Sequence, residues 1–274
     1  MSLSTDEKIK QQVASGQIPT RQINEDVPVE EIELPSRGRY YPDGHPLSTG
    51  KILLRYPTAR EEDILTSKSF IQKGTVIDVF LQALIVDKSI NLDDILLGDK
   101  NALVVASRIM AYGKDYPVTV TCPSCRTAGE IVIDISELDT KEIEGFEKIS
   151  GNDFEITLPA SKAVVRFKVL TQRDDKEVDS ILKQTKKSIK MQTSPEITTR
   201  LRVAITSING NEDRMEIKRF VDTMLTLDSK KLRDEISRVS PDIDMKFTFQ
   251  CDECGHEERM NMPIGINFFW PGRK

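Results

Sequence analysis

Apolar positions change their period several times along the chain, and each change marks a different kind of element. Lys51 to Tyr56 reads as a short strand after a turn-rich stretch, and Thr58 with Glu61 three residues on predicts a capped helix start ahead of Ile64 and Leu65. The run from Val76 to Val86, with Phe80, Leu81, Leu84 and Ile85, predicts a buried helix. Gly98-Asp99-Lys100-Asn101 has turn composition, and Ala102 to Tyr112 is apolar nearly all round, as a core helix would be. Period two then takes over. Tyr116 to Thr121 and Glu130 to Ile135 predict a hairpin with Ile131, Ile133 and Ile135 on one face, and Phe154 to Leu158 with Ala163 to Leu170 predicts a second. Helical spacing returns over Asp175 to Ile189, Glu196 to Ile208, Met215 to Leu225 and Ser229 to Val239, the last with Asp228 as its expected N-cap and Pro241 as its stop. Met245 to Phe249 and Glu258 to Met262 form a final strand pair.

These elements predict an α+β fold: a helical N-terminal part and a helical insertion around one small antiparallel sheet built from all three hairpins. Residues 1–33 are polar and acidic and predict a flexible arm, free or folding on a partner. Residues 34–115 form the helical region, 116–170 the first pair of hairpins, 171–240 the helical insertion, and 241–274 the last hairpin with an aromatic tail.

Composition narrows the class. Of the 274 residues, 38% are hydrophobic, 30% charged and 6% aromatic, which fits a soluble globular protein rather than a disordered chain. A net charge of -5 disfavours broad attraction to nucleic acid or to anionic lipid. The first ten residues lack an apolar signal core, and no segment reaches the length of a membrane span, so a cytosol-like compartment is expected.

All four cysteines fall in two Cys-x-x-Cys pairs, Cys122/Cys125 and Cys251/Cys254, each at the turn of a predicted hairpin. Two such knuckles describe a split four-cysteine zinc ribbon, because two thiolates from one turn fill only half of a tetrahedron. The expectation is one structural Zn2+ per chain held by Cys122, Cys125, Cys251 and Cys254. A ribbon that has lost its metal and a redox pair are the competing readings. The second is the weaker, because redox Cys-x-x-Cys motifs sit at helix N-termini. A catalytic zinc would keep an open position, which four thiolates close. His256, two residues past Cys254, is a rival ligand or a solvent-facing neighbour.

Other chemistry is sparse. His45 and His256 are the two histidines, no nucleophile elbow is present, and Gly98-Asp99-Lys100 lacks the spacing of a phosphate loop, so no enzyme is expected. A nucleic-acid-binding zinc ribbon is the alternative, but Arg126, Lys246 and Arg259 stand against Asp252, Glu253, Glu257 and Glu258 around the knuckles. Arg37, Arg39, Tyr40 and Tyr41, and the tail Phe268, Phe269 and Trp270, have the composition of interface anchors or of a core plug. For Arg55, Arg60, Glu61 and Glu62, surface ion pairs and helix capping are the simplest roles.

Several segments in order resemble the T4-type bacteriophage baseplate protein family. They are Leu34-Pro35-Ser36-Arg37-Gly38-Arg39-Tyr40-Tyr41-Pro42, Tyr56-Pro57-Thr58-Ala59-Arg60-Glu61-Glu62-Asp63-Ile64-Leu65, Gly98 to Ala102 with Tyr112-Gly113, both cysteine knuckles, Leu158-Pro159, Ile208-Asn209-Gly210 and Phe268-Phe269-Trp270-Pro271. The resemblance spans about Leu34 to Pro271. It implies a protein of contractile-tail phages that helps to build the baseplate hub, as a virion component or as an assembly factor that leaves. Its partners would be other baseplate or hub proteins, met in the host cytoplasm during assembly or retained in the virion tail. No membrane and no small-molecule substrate is implied.

Overall fold

The structure is a computed structural model that describes residues 27–188, 194–262 and 268–270. Among the described residues, four short antiparallel sheets and eight α-helices share one apolar core. Strand β1 (Val29–Glu33) pairs with β2 (Lys51–Arg55), with Ile32 opposite Ile52. The strand therefore takes Val29 to Glu33 out of the expected arm, and the arm's residues 1–26 lie outside the described residues. Helices α1 (Ala59–Thr66), α2 (Lys68–Lys73) and α3 (Val76–Leu84) follow, and α4 (Leu97–Tyr112) crosses the core with Leu103 and Val105 buried.

The start of α4 differs from the sequence expectation. Gly98 to Asn101 are helical rather than a turn, because tertiary partners satisfy each polar group there. Asp99 is fully buried and accepts hydrogen bonds from the Ser36 amide (2.9 Å) and the Tyr41 hydroxyl (2.7 Å). Lys100 Nζ reaches Asp78 (2.6 Å) and Gln172 (2.8 Å), and Asn101 donates to Asp242 (2.9 Å). Gly98 admits the Pro241 carbonyl so closely that a Cβ would lie 1.7 Å from its oxygen. Helix and distant loop thus fix each other.

Strands β3 (Asp115–Thr121) and β4 (Ala128–Asp134) make the first knuckle hairpin, and β8 (Lys246–Gln250) and β9 (Glu257–Asn261) make the second. Between them β5 (Phe154–Thr157), β6 (Val164–Phe167) and β7 (Ile205–Ile208) form a three-stranded sheet. The single sheet expected from the sequence is therefore three separate ones. The expected helix from Glu196 to Ile208 also divides into α6 (Glu196–Ala204) and β7, since the open edge of β6 offers Ile205 to Ile208 ladder partners that a helix turn would forgo.

Helices α5 (Gln172–Ser188), α7 (Arg214–Thr223) and α8 (Thr226–Val239) complete the insertion. Asp228 is not the N-cap of α8. It lies inside the first turn, fully buried, and its carboxylate accepts from the Ala160 and Ser161 amides at 2.7 and 2.9 Å. Burial of that carboxylate therefore serves the β5–β6 turn. Among the described residues no helix is long and apolar enough to cross a membrane.

Candidate metal centre

Each knuckle builds the same backbone loop from a different sequence. In the first, the Cys122 amide donates to the Thr127 carbonyl and the Arg126 amide returns to the Cys122 carbonyl, both at 2.9 Å. In the second, Cys251 donates to His256 (2.8 Å) and Gly255 returns to Cys251 (2.9 Å). The residue after the second cysteine is left-handed in both, Arg126 at φ 64° and Gly255 at φ 68°. Glycine takes that conformation without steric cost, whereas arginine adopts it because the loop's two bonds hold it there.

The hairpins meet through a short antiparallel splice. Lys141 donates to the Asp242 carbonyl and Asp244 to the Asp139 carbonyl, both at 2.8 Å, with Thr140 bridged to Ile243. The chain leaving the first hairpin thus runs beside the chain entering the second. That splice brings the knuckles together across more than a hundred residues of intervening sequence.

All four sulfurs lie within 4.8 Å of one another, with Cys122 Sγ 3.7 Å from Cys254 Sγ and Cys125 Sγ 3.7 Å from Cys251 Sγ. A disulfide would need about 2.05 Å, so these are free thiols. A tetrahedron of sulfurs around a metal at about 2.3 Å has edges of about 3.8 Å, which the two cross-knuckle distances match. The donor set and its spacing therefore fit one metal ion. In each pair the first cysteine, Cys122 or Cys251, is buried and the second exposed, so the site is closed by protein on one side.

Proximity already disturbs the thiols. Hydrogen bonds from the Thr127 hydroxyl and amide pull Cys125 down to about 6. Cys254 accepts a bond from the His256 amide that works the other way, yet lost hydration and its neighbouring thiols push it up to about 11. A divalent cation would favour the thiolate form of all four cysteines. The His256 ring faces Glu258 (3.3 Å) and stands outside the sulfur cluster. Arg259 is paired with Asp244 (2.5 Å), which removes one of the few cations near the knuckles.

The other candidate residues divide. Tyr40 and Tyr41 are buried: Tyr40 donates to the Val239 carbonyl, and Tyr41 links Asp99 to the Leu96 amide. Phe268 packs edge-on against Tyr116 and Phe269 against Phe80, with Trp270 against Phe269. Of the two readings open for these rings, anchor or core plug, Tyr40, Tyr41, Phe268 and Phe269 take the packed position within this chain, because apolar rings of this size gain most where both faces leave water. Arg37 and Arg39 do stay exposed, their guanidiniums 5.4 and 5.5 Å from the Phe146 ring centre. His45 caps the short 3-10 turn at Pro46–Thr49 through its Nδ1 and stacks on Tyr41. Arg55 pairs bidentately with buried Glu61, which also accepts from Thr58, so the two serve capping and packing. Asp99 and Asp228 were not distinguishable in sequence from surface acids; their signal is the distant amides that reach them.

The fold and site define an α+β protein whose paired thiol knuckles clasp two ends of a helical excursion. A family model described as T4 bacteriophage base plate protein matches residues 27–270. The chain belongs to that family. No curated protein and no solved structure matches it at a significant level.

Proposed function

We propose that this chain is a non-enzymatic protein–protein interaction component in building the baseplate hub of a contractile-tail phage, with Cys122, Cys125, Cys251 and Cys254 holding one structural zinc. Family membership over residues 27–270 is the observation that carries the first half of the proposal. The sulfur cluster supports the second, since four thiolates favour zinc among the borderline and soft divalent ions and leave no open position for substrate. Zinc, when bound, supplies a cross-link and no chemistry. The residues do the rest: the knuckle loops aim the sulfurs, and the Lys141–Asp242 splice holds the loops in register.

Such a protein works by presenting fixed surfaces, during assembly in the host cytoplasm or in the finished tail. Arg37 and Arg39 are accessible cations suited to that task. A phage carrying a deletion of this gene tests the function: tails without baseplates are expected, and normal infectious tails would refute it. Finding the chain at fixed copy number in purified particles makes it a virion component, and its absence there makes it an assembly factor.

A further inference from the structure

The sheet of β1 and β2 is closed along one edge and open along the other. The Leu34 amide donates to the Gly50 carbonyl (2.8 Å) and the Tyr56 amide to the Pro28 carbonyl (2.9 Å), which brackets a ladder with Val29 opposite Arg55 and Glu33 opposite Lys51. Hydrogen-bonded pairs recur at every second residue of an antiparallel ladder. Glu30 and Ile32 therefore exchange bonds with Leu54 and Ile52, while the amides and carbonyls of Val29, Glu31 and Glu33 point away from β2. None of these outward groups has a backbone partner among the described residues. The far edge of β2 differs, because there the Leu53 carbonyl accepts from the Val86 amide (3.1 Å) and Leu54 bridges Ile85.

Side chains give the open edge a sign. Val29, Glu30, Glu31 and Glu33 are all exposed. Lys51 stands opposite Glu33 but binds Glu31 (2.5 Å), and Arg55, the other cation of these two strands, is turned to Glu61 (2.7 Å). Glu30 accepts from the Tyr56 hydroxyl (2.7 Å), a neutral donor. Glu30 and Glu33 thus have no cation of their own, and the edge carries uncompensated negative charge. On the face that Glu31 and Glu33 share, Val29 and Leu53 are 54% and 44% exposed, an apolar step beside the acids.

We infer that the open edge of β1 takes up a strand of another tail protein, with lysine or arginine at alternate positions beside Glu31 and Glu33 and an apolar residue beside Val29. The outward amides and carbonyls supply the binding, as in other cases of strand addition to a sheet edge, and cross-strand side chains choose the partner. Charged residues on an edge strand also discourage chance pairing. The same glutamates repel acidic strands and leave neutral ones without a counter-charge, so the protection of the edge and its selectivity are one device. This inference deepens the proposed function and rests on it.

The test uses the full chain in the phage. Glu31→Pro removes an outward amide and spares the β1–β2 ladder, since proline is tolerated where the N–H of an edge strand faces solvent. Glu31→Lys combined with Glu33→Lys reverses the sign at two exposed side chains. Each protein is first shown to be soluble and to melt and bind metal like the unaltered one. Both variants should lower the yield of infectious particles by about tenfold or more, as loss of an interface anchor does. Suppressors of the double lysine variant should include Lys or Arg changed to Asp or Glu in a different tail protein. Wild-type yields from both overturn the inference and leave the glutamates as guards of a bare edge. A loss from the proline variant alone overturns the basic partner, and a loss from the lysine variant alone overturns strand pairing. Suppression only by changes within this chain also overturns it, marking the edge as a site for the chain's own segment or a second copy. A gene deletion that leaves infectious tails refutes the function itself, whereas a lethal deletion beside healthy edge variants refutes only the docking.

Discussion

Stripping metal from the sulfur cluster should cost this protein about as much as cutting a long-range cross-link. Cys122 and Cys254 are 132 positions apart. Closing a loop of that length in the unfolded chain costs about 5 kcal/mol on the chain-entropy scale used for disulfides. The folded chain has already paid it, because the Lys141–Asp242 splice and the knuckle loops hold the thiols within reach. Metal affinity should therefore differ between folded and unfolded chains by that amount, and the difference appears as stability. At about 2 °C per kcal/mol for a chain of this size, the melting temperature should fall by about 10 °C on chelation. Calorimetry of protein purified without chelators, before and after a high-affinity chelator, reads the shift, and elemental analysis should give about one zinc per chain. Cys122→Ser should melt low from the start and lose little more on chelation. Equal melting of the metal-loaded and metal-free proteins, with Cys122→Ser unchanged, would refute the reasoning.

Three further outcomes follow from buried polar contacts. Burial acts to raise the Glu61 carboxyl, but bonds from Arg55 and Thr58 prevail and hold it at about 2, below its ordinary value of 4.5. Since the folded value is the lower one, its stabilisation is complete above pH 4.5 and fades as pH falls toward 2; after allowance for screening of the partly exposed Arg55, denaturant titrations should show about 2 kcal/mol lost across that window and none in Glu61→Gln. Gly98→Ala would drive a methyl group into the Pro241 carbonyl and should cost about 3 kcal/mol, measured by urea unfolding, while Asn101→Ala should cost less. Asp228→Ala strips two amides of their acceptor and should cost about 2 kcal/mol, with faster hydrogen exchange at Ala160 and Ser161 as the local signature.

Much of this protein is written locally. Strands at Tyr116 to Thr121, the helix from Val76 and the capped start at Thr58 appear where side-chain period and capping residues place them, because those forces act within a turn or a pleat. The pairing of Cys122 and Cys125 with Cys251 and Cys254 was also legible, since tetrahedral coordination needs both halves. What remained hidden depends on partners far along the chain. Ile205 to Ile208 could continue a helix by its own residues and becomes a strand only because β6 stands open beside it. Gly98 to Asn101 have turn composition and are helical because Ser36, Tyr41, Asp78 and Asp242 meet them. Phe268 and Phe269 could equally serve a partner or the core, and it is the fold that seats them beside Tyr116 and Phe80. Sequence thus determined most of the elements and the pairing of the two cysteine knuckles. The tertiary structure decided which polar groups are satisfied by distant backbone and which sheets stay separate, because each of those depends on contacts whose partners no local pattern specifies.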